Sequence, residues 1–185
     1  MYDRLLDAAQ DLVQKNGFNA FSYRHLSESV GIKTASIHYH FPSKEDLGEA
    51  MARRYRERFN TVLESIEAEN SDAVTQIEQY AEQFLKTLRQ GGKICLCGML
   101  ASDYATLPEN ARKEVRAFFA DNEEWLTRIL EQGRKSGAIH FKSEARDVAI
   151  TFFATLEGAM LDARLFEDEN RLKRVIDCWR NILVI

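Results

Sequence analysis

An all-α chain of about nine helices, a small three-helix head followed by a larger helical domain, is predicted by three observations. The 185 residues hold only 2 prolines and 9 glycines, too few breakers for many short strands. Apolar residues recur at i, i+3/i+4 and i+7 in nearly every segment between the breakers. The stretch Ser22–Lys44, SYRHLSESVGIKTASIHYHFPSK, divides into two short helical pieces around a tight turn. That is the pattern of a helix-turn-helix. The head is placed at residues 1–45 and the larger domain at 46–185.

The first helix is expected from about Asp3 to Lys15. Leu5, Leu6, Ala9, Leu12 and Val13 form its apolar stripe. Asp3 and Asp7 favour the N-terminal end of the dipole and Lys15 the C-terminal end. Asn16-Gly17 stops it, and Phe18 and Phe21 plug a small three-helix core. Ser22 is a good N-cap for the second helix, in which Leu26 and Val30 share one face. Gly31 supplies the residue that tolerates positive φ in the turn. The third piece, about Lys33 to Tyr39, has Ile37 as its one strongly apolar residue. Thr34, Ala35, Ser36, His38, Tyr39 and His40 are small or hydrogen-bonding groups. A short helix with one apolar anchor and donors and acceptors on its other faces suits the DNA major groove. Pro42 blocks its continuation.

Ser43 restarts a helix as N-cap, with Asp46 in the capping-box position normally held by Glu. This fourth helix runs to about Glu67 along the seam Leu47, Ala50, Met51, Tyr55, Phe59, Val62, Leu63 and Ile66. It starts in the head and ends in another core, which makes it a mechanical link. Asn70-Ser71-Asp72 is a break. Helix five spans about Ala73 to Arg89, with Gly91-Gly92 at its end. Helix six spans about Leu96 to Tyr104. Helix seven starts at Pro108, a residue suited to a first turn, and runs to about Gly133. Helix eight, about Glu144 to Phe166, is apolar on nearly all sides, the mark of a central or interfacial helix. Gly158 and Ala159 would admit another helix closely. Helix nine runs from about Glu169 to the end, with Leu172, Val175, Ile176, Trp179, Ile182 and Leu183 along one face.

The net charge of −4 hides an asymmetry. Residues 1–60 hold 9 basic and 8 acidic side chains, the remainder 16 and 21. Charge alone does not point to nucleic acid. Placement does: Arg24, Lys33 and Lys44 flank the third helix, where phosphates would lie. No apolar run approaches the ~18 residues of a membrane span. There is no signal-peptide pattern, and three cysteines make no disulfide framework. A cytoplasmic location is the expectation.

Catalysis is disfavoured, for no nucleophile–base order, phosphate loop or carboxylate pair stands out. His38 and His40 point about 200° apart on a helix and cannot share an ion. No metal or other cofactor is called for. Cys95 and Cys97, a C-x-C pair, cannot close an unstrained disulfide. They are either two small core residues or reactive thiols, activated if Lys93 lies close.

The segments LLDAAQDLVQKNGF, FSYRHLSESV and GIKTASIHYHFPSKEDL resemble the TetR family of bacterial transcriptional regulators. The resemblance covers roughly the first 60 residues. It implies that Arg24, Thr34, Ala35 and His38 reach base edges and that Tyr23, Ser36, Tyr39, His40 and Lys44 hold phosphates. His38 stands where the family commonly has tyrosine. The likeness implies a ligand-responsive repressor that binds a palindromic double-stranded operator as a homodimer, with a C-terminal regulatory domain. CGMLASDYATLPENARKEV also resembles a stretch of family members that sense electrophiles or oxidants through cysteine. A cysteine-switched sensor and a constitutive DNA-bound scaffold with a protein partner are the alternatives. The effector is expected to be small and apolar, or electrophilic. Surplus large residues mark its pocket: Phe59, Leu63, Phe84, Met99, Tyr104, Trp125, Phe152, Phe153 and Met160. Leu156, Met160, Trp179 and Ile182 are the expected dimer contacts.

Overall fold

The computed structural model describes residues 1–183, and among them there are nine α-helices. They are α1 (Tyr2–Asn16), α2 (Tyr23–Val30), α3 (Thr34–His40), α4 (Lys44–Glu69), α5 (Ala73–Leu88), α6 (Leu96–Ser102), α7 (Glu109–Ser136), α8 (Ala145–Leu165) and α9 (Asn170–Leu183). The expected run of helix nine to the chain end reaches beyond the described residues.

Local chemistry explains the boundaries. The Gly31 amide donates to the Ser27 carbonyl at 2.9 Å, and Gly31 sits in the left-handed region at φ 74. The Ser43–Asp46 capping box is reciprocal. Asp46 Oδ2 accepts from the Ser43 amide at 2.9 Å, and the Asp46 amide donates to Ser43 Oγ at 3.1 Å. Asp72 caps α5 by accepting from the Thr75 amide at 2.8 Å. Helix α7 does not stop at Gly133. The Ile139 side chain packs so closely there that a Cβ on Gly133 would lie 2.4 Å from Ile139 Cδ1. That glycine is a packing site inside the helix rather than a terminator.

The chain divides into two compact units, residues 1–58 with 95–118, and residues 59–94 with 119–185. The expected boundary at residue 45 differs from this division. Leu47, Met51 and Ala52 of α4 are buried at 0% exposure with Leu5, Leu6, Leu26 and Ile37 at 1% or less. The first unit also takes in α6 and the start of α7, up to Phe118. Its core includes Phe18, Phe21, Phe41, Cys95, Leu96, Cys97, Leu100 and Phe118, all buried. Phe18 lies against α4 at Gly48, where a Cβ would come within 3.0 Å of its ring.

The second unit is centred on Tyr80. Its ring stacks on Trp125 at 5.5 Å and 18° and meets Phe59, Phe84 and Phe152 at 6.0, 5.4 and 6.2 Å. Its hydroxyl donates to Asn122 Oδ1 at 2.9 Å, which satisfies a polar pair inside the cluster. Helix α9 lies against α8, with Trp179 edge-on to Phe152 at 5.3 Å.

Candidate nucleic-acid interface

Helix α3 has one fully buried side chain. Ile37 is fully buried, while Ala35, Ser36, His38 and Tyr39 are exposed, Tyr39 at 85%. Thr34 and His40 are half-buried and Lys33, the N-cap, is exposed. So large an exposed aromatic beside small polar groups is surface that a protein core does not need. Arg24 projects from α2 in an exposed pair with Glu28 at 3.0 Å, an interaction too solvated to hold it from another partner.

Two of the residues expected at phosphates face inward. The Tyr23 hydroxyl donates towards the Phe41 carbonyl at 3.0 Å and also meets the Ser43 carbonyl, bracing the α3–α4 junction. Burial, and secondarily Asp46, pushes its pKa up to about 12. His38 stacks edge-on against Tyr23 at 4.8 Å, and its Nδ1 lies 3.1 Å from the Pro42 carbonyl. Lys44 Nζ donates to the Phe18 and Phe21 carbonyls at 2.6 and 2.7 Å and sits over both rings. Burial lowers its pKa, opposed by the nearby Asp103. The α1–α2 loop folds its carbonyls towards α4, a convergence that the linear order of residues does not display.

Asp103, which no sequence signal singled out, grips the other side of that loop. Its Oδ2 accepts from the Phe18 amide at 2.8 Å and the Asn19 amide at 3.4 Å, and its Oδ1 accepts from Asn19 Nδ2 at 2.9 Å. Gly17 lies at φ 90, where a Cβ would touch Asp103 Oδ2 at 3.4 Å. The backbone angle calls for glycine there.

The nine residues expected around an effector do not share one location. Met99 and Tyr104 belong to the first unit, and Tyr104 is 60% exposed under the Arg112 guanidinium. The others belong to the second unit. There Phe59, Phe84, Trp125 and Phe152 pack around Tyr80, Phe153 contacts Phe84 and Phe119, and Met160 is fully buried. Leu63 and Trp125 border a groove of about 260 Å³ between α4 and α7, also lined by Asn60, Glu64, Glu67, Asp121, Glu124 and Arg128. Its walls are more polar than expected. Glu67 accepts from Arg128 at 2.5 and 2.6 Å and from Trp125 Nε1 at 2.7 Å. The Arg128 bonds hold its carboxyl below the usual range against the effect of burial.

Of the expected dimer contacts, Leu156 and Met160 are fully buried in the protomer's own core, Trp179 is half-buried on Phe152, and Ile182 is exposed. The phase of α8 explains this. Val148, Phe152, Leu156 and Met160 lie on the inner face, and Ile150, Ala154, Gly158, Leu161 and Leu165 form the exposed one. Nothing in the protomer lies within 4 Å of where a Gly158 side chain would be. All-round apolarity was legible in the sequence; which side faced the protomer was not. Cys95 and Cys97 are buried in the first unit, with the Tyr55 hydroxyl 3.8 Å from Cys95 Sγ, and Cys178 is exposed.

Comparison with known proteins accords with this arrangement. Residues 5–51 match the bacterial regulatory proteins of the tetR family, and residues 73–179 match the tetracyclin repressor-like C-terminal domain. A TetR-family transcriptional regulator from Agrobacterium tumefaciens is 34% identical, with a TM-score of 0.96 over 100% of this chain and 97% of that one. A TetR regulator from Legionella pneumophila is 38% identical, with a TM-score of 0.85 over 93% and 91%. The HTH-type transcriptional repressor NemR of Escherichia coli is 27% identical over 98% of this chain and 92% of its own. With both its helix-turn-helix and its C-terminal region matched, this chain belongs to the TetR family of bacterial transcriptional regulators, proteins that regulate rather than catalyse.

Proposed function

We propose that this protein is an effector-responsive repressor that binds a palindromic operator as a homodimer. The observation that carries the reading is the exposed face of α3: Ala35, Ser36 and Tyr39 are exposed, as are Lys33 at the N-cap of α3 and Arg24 on α2. Ser36, His38 and Tyr39 supply hydrogen-bonding groups for base edges and phosphates, and Ala35 supplies an apolar contact for a thymine methyl. Thr34 and His40, half-buried at the two ends of α3, border this face, while Lys44 holds the α1–α2 loop behind it. The exposed apolar stripe of α8, with Ile182 of α9, supports self-association, because so much exposed aliphatic surface is uncommon on a monomer. A two-fold dimer would read half-sites about 34–36 Å apart or a multiple of that distance.

Effector response is assigned to the second unit. The α4–α7 groove opens beside the Tyr80–Trp125 stack, and a small molecule with an apolar body would enter there and displace packed rings. Control requires only that the compound prefer one conformation over the other. The competing cysteine-switched reading rests on one fact: Cys95 and Cys97 are buried in the same unit as α3, so covalent modification would disturb that unit directly. No helix among the described residues is long and apolar enough to cross a membrane, and the proposed activity places the protein with the chromosome in the cytoplasm.

The test is selection of duplexes from a random pool by the purified protein, followed by footprinting. A protected palindrome with one symmetric half-site pair supports the reading, and failure to enrich any duplex rejects it. Operator release by compounds from a chemically varied library, compared in wild type and a Cys95→Ser/Cys97→Ser variant, separates the non-covalent effector from the cysteine switch.

A further inference from the structure

The α1–α2 loop is held from two sides by opposite charges. On one side Asp103, at the C-terminal end of α6, accepts from the Phe18 and Asn19 amides and from the Asn19 side chain. Asn19 Nδ2 also reaches Thr106 Oγ1 at 2.8 Å. On the other side Lys44, at the start of α4, donates to the Phe18 and Phe21 carbonyls. The next link is equally short: Tyr23 ties α2 to the Phe41 and Ser43 carbonyls, which join α3 to α4. Hydrogen bonds joined through the backbone at Phe18 and at Ser43-Lys44 therefore lead from the end of α6 to the exposed helix. Most of these links involve an ionised partner, which makes them short and directional.

We propose that Asp103 is a positioning residue that couples α6 to α3, so that opening of α6 and engagement of DNA exclude one another. A carboxylate that accepts from two successive backbone amides cannot shift by an ångström without breaking bonds of this length. The loop must then follow α6 or release it. The loop's amides have this partner because Gly17 brings the backbone against the carboxylate. The inference rests on the DNA-binding reading and adds to it the identity of the connecting side chain. Its function is separate from touching DNA, since Asp103 is an anion and would repel phosphate.

Cys97 and Cys95, at 0% and 3% exposure at the start of α6, report on its opening. Buried thiols are labelled only through local opening. If opening and DNA binding are coupled, bound DNA must slow the labelling, by reciprocity of linkage. In a Cys178→Ser background, which removes the exposed thiol, labelling by 5,5′-dithiobis(2-nitrobenzoate) is followed with and without a saturating duplex selected by the wild-type protein. Coupling of ordinary strength slows labelling by about 5-fold or more in the otherwise wild-type chain. Asp103→Ala should bring the ratio to within about 2-fold of unity and weaken duplex binding, with helix content unchanged by circular dichroism. Asp103→Asn, which keeps an acceptor of the same shape, should retain part of the ratio and guards against loss of folding in the alanine variant. Hydrogen exchange at the Phe18 and Asn19 amides should accelerate in step. An undiminished ratio in Asp103→Ala, or no slowing by DNA in the parent, overturns the coupling while leaving DNA binding intact. Failure of the parent to enrich any duplex rejects the DNA-binding reading and the coupling with it.

Discussion

Leu161→Glu should dissociate the proposed dimer without unfolding the protomer, and the structure sets the size of the effect. Leu161 is 51% exposed on the outer face of α8, between Gly158 and Leu165. Full burial of a leucine is worth roughly 2 kcal/mol, so covering the exposed half contributes about 1 kcal/mol per protomer. An interface with two-fold symmetry counts it twice, about 2 kcal/mol, or roughly a 30-fold change in dissociation constant. A carboxylate buried in each half of the interface adds desolvation, so the total should exceed about 100-fold. Leu156→Glu is the contrast. It lies two residues after Ala154 on the opposite face, at 0% exposure, and a charge there should unfold the second unit rather than release a partner. Sedimentation velocity across micromolar concentrations, paired with thermal melts, reads both. Leu161→Glu sedimenting as the wild-type dimer, or Leu156→Glu giving a folded monomer, would refute the assignment of the two faces.

Gly133→Ala should lower stability by about 1–3 kcal/mol, the usual cost of overpacking, because its Cβ would fall 2.4 Å from Ile139 and 3.1 Å from Ala73; a melting temperature equal to wild type would contradict this. Lys33→Ala should flatten the salt dependence of DNA binding by about one unit. Lys44→Ala, losing an ammonium that ties two carbonyls, should weaken binding to all duplexes with a smaller change in salt slope; equal slopes for the two variants would show that Lys44 turns outward on DNA. Glu169, its pKa depressed to about 2 first by hydrogen bonds from Arg89 and Lys173, stabilises the contact of α5 with the start of α9 above the unfolded value of about 4.3. That contribution is lost as pH falls through about 2, so acid titration should lose its lowest limb in Glu169→Gln, and an unaltered limb would exclude this carboxylate as its source.

Local signals made most of the fold legible. Gly31, the Ser43–Asp46 pair and the one-residue anchor Ile37 act within a few positions of themselves, and each element they delimit lies within a few residues of its expected place. Gly133 misled because a glycine in a sequence does not reveal whether it ends a helix or makes room for Ile139. The exposed residues of α3 were readable for the same local reason. Asp103 was not, since its partners lie more than eighty positions away and are mostly backbone atoms, which carry no residue identity. The inward turn of Lys44 and Tyr23 was hidden likewise: a basic or phenolic side chain next to the reading helix suits phosphate, and only the folded loop shows carbonyls competing for it. The aromatic residues of the second unit were recognised as a surplus, but composition does not show whether large rings surround a space or fill it around Tyr80.

A head exchanged between relatives by joining chains at residue 45 would leave Asp103 facing a foreign loop and Phe118 without the α4 residue Tyr55, whose ring it meets at 5.4 Å. The unit that carries α3 is built from residues 1–58 and 95–118, so a working graft has to transplant both pieces, with junctions inside α4 and α7 kept in helical phase. Chimeras that import only the first piece should express as aggregates or bind DNA weakly, and adding residues 95–118 from the same donor should restore them. Retargeting this regulator is therefore a two-segment problem, and on the proposed reading of α3 a library that varies Ala35, Ser36 and Tyr39 within the native unit is the shorter route to a new operator.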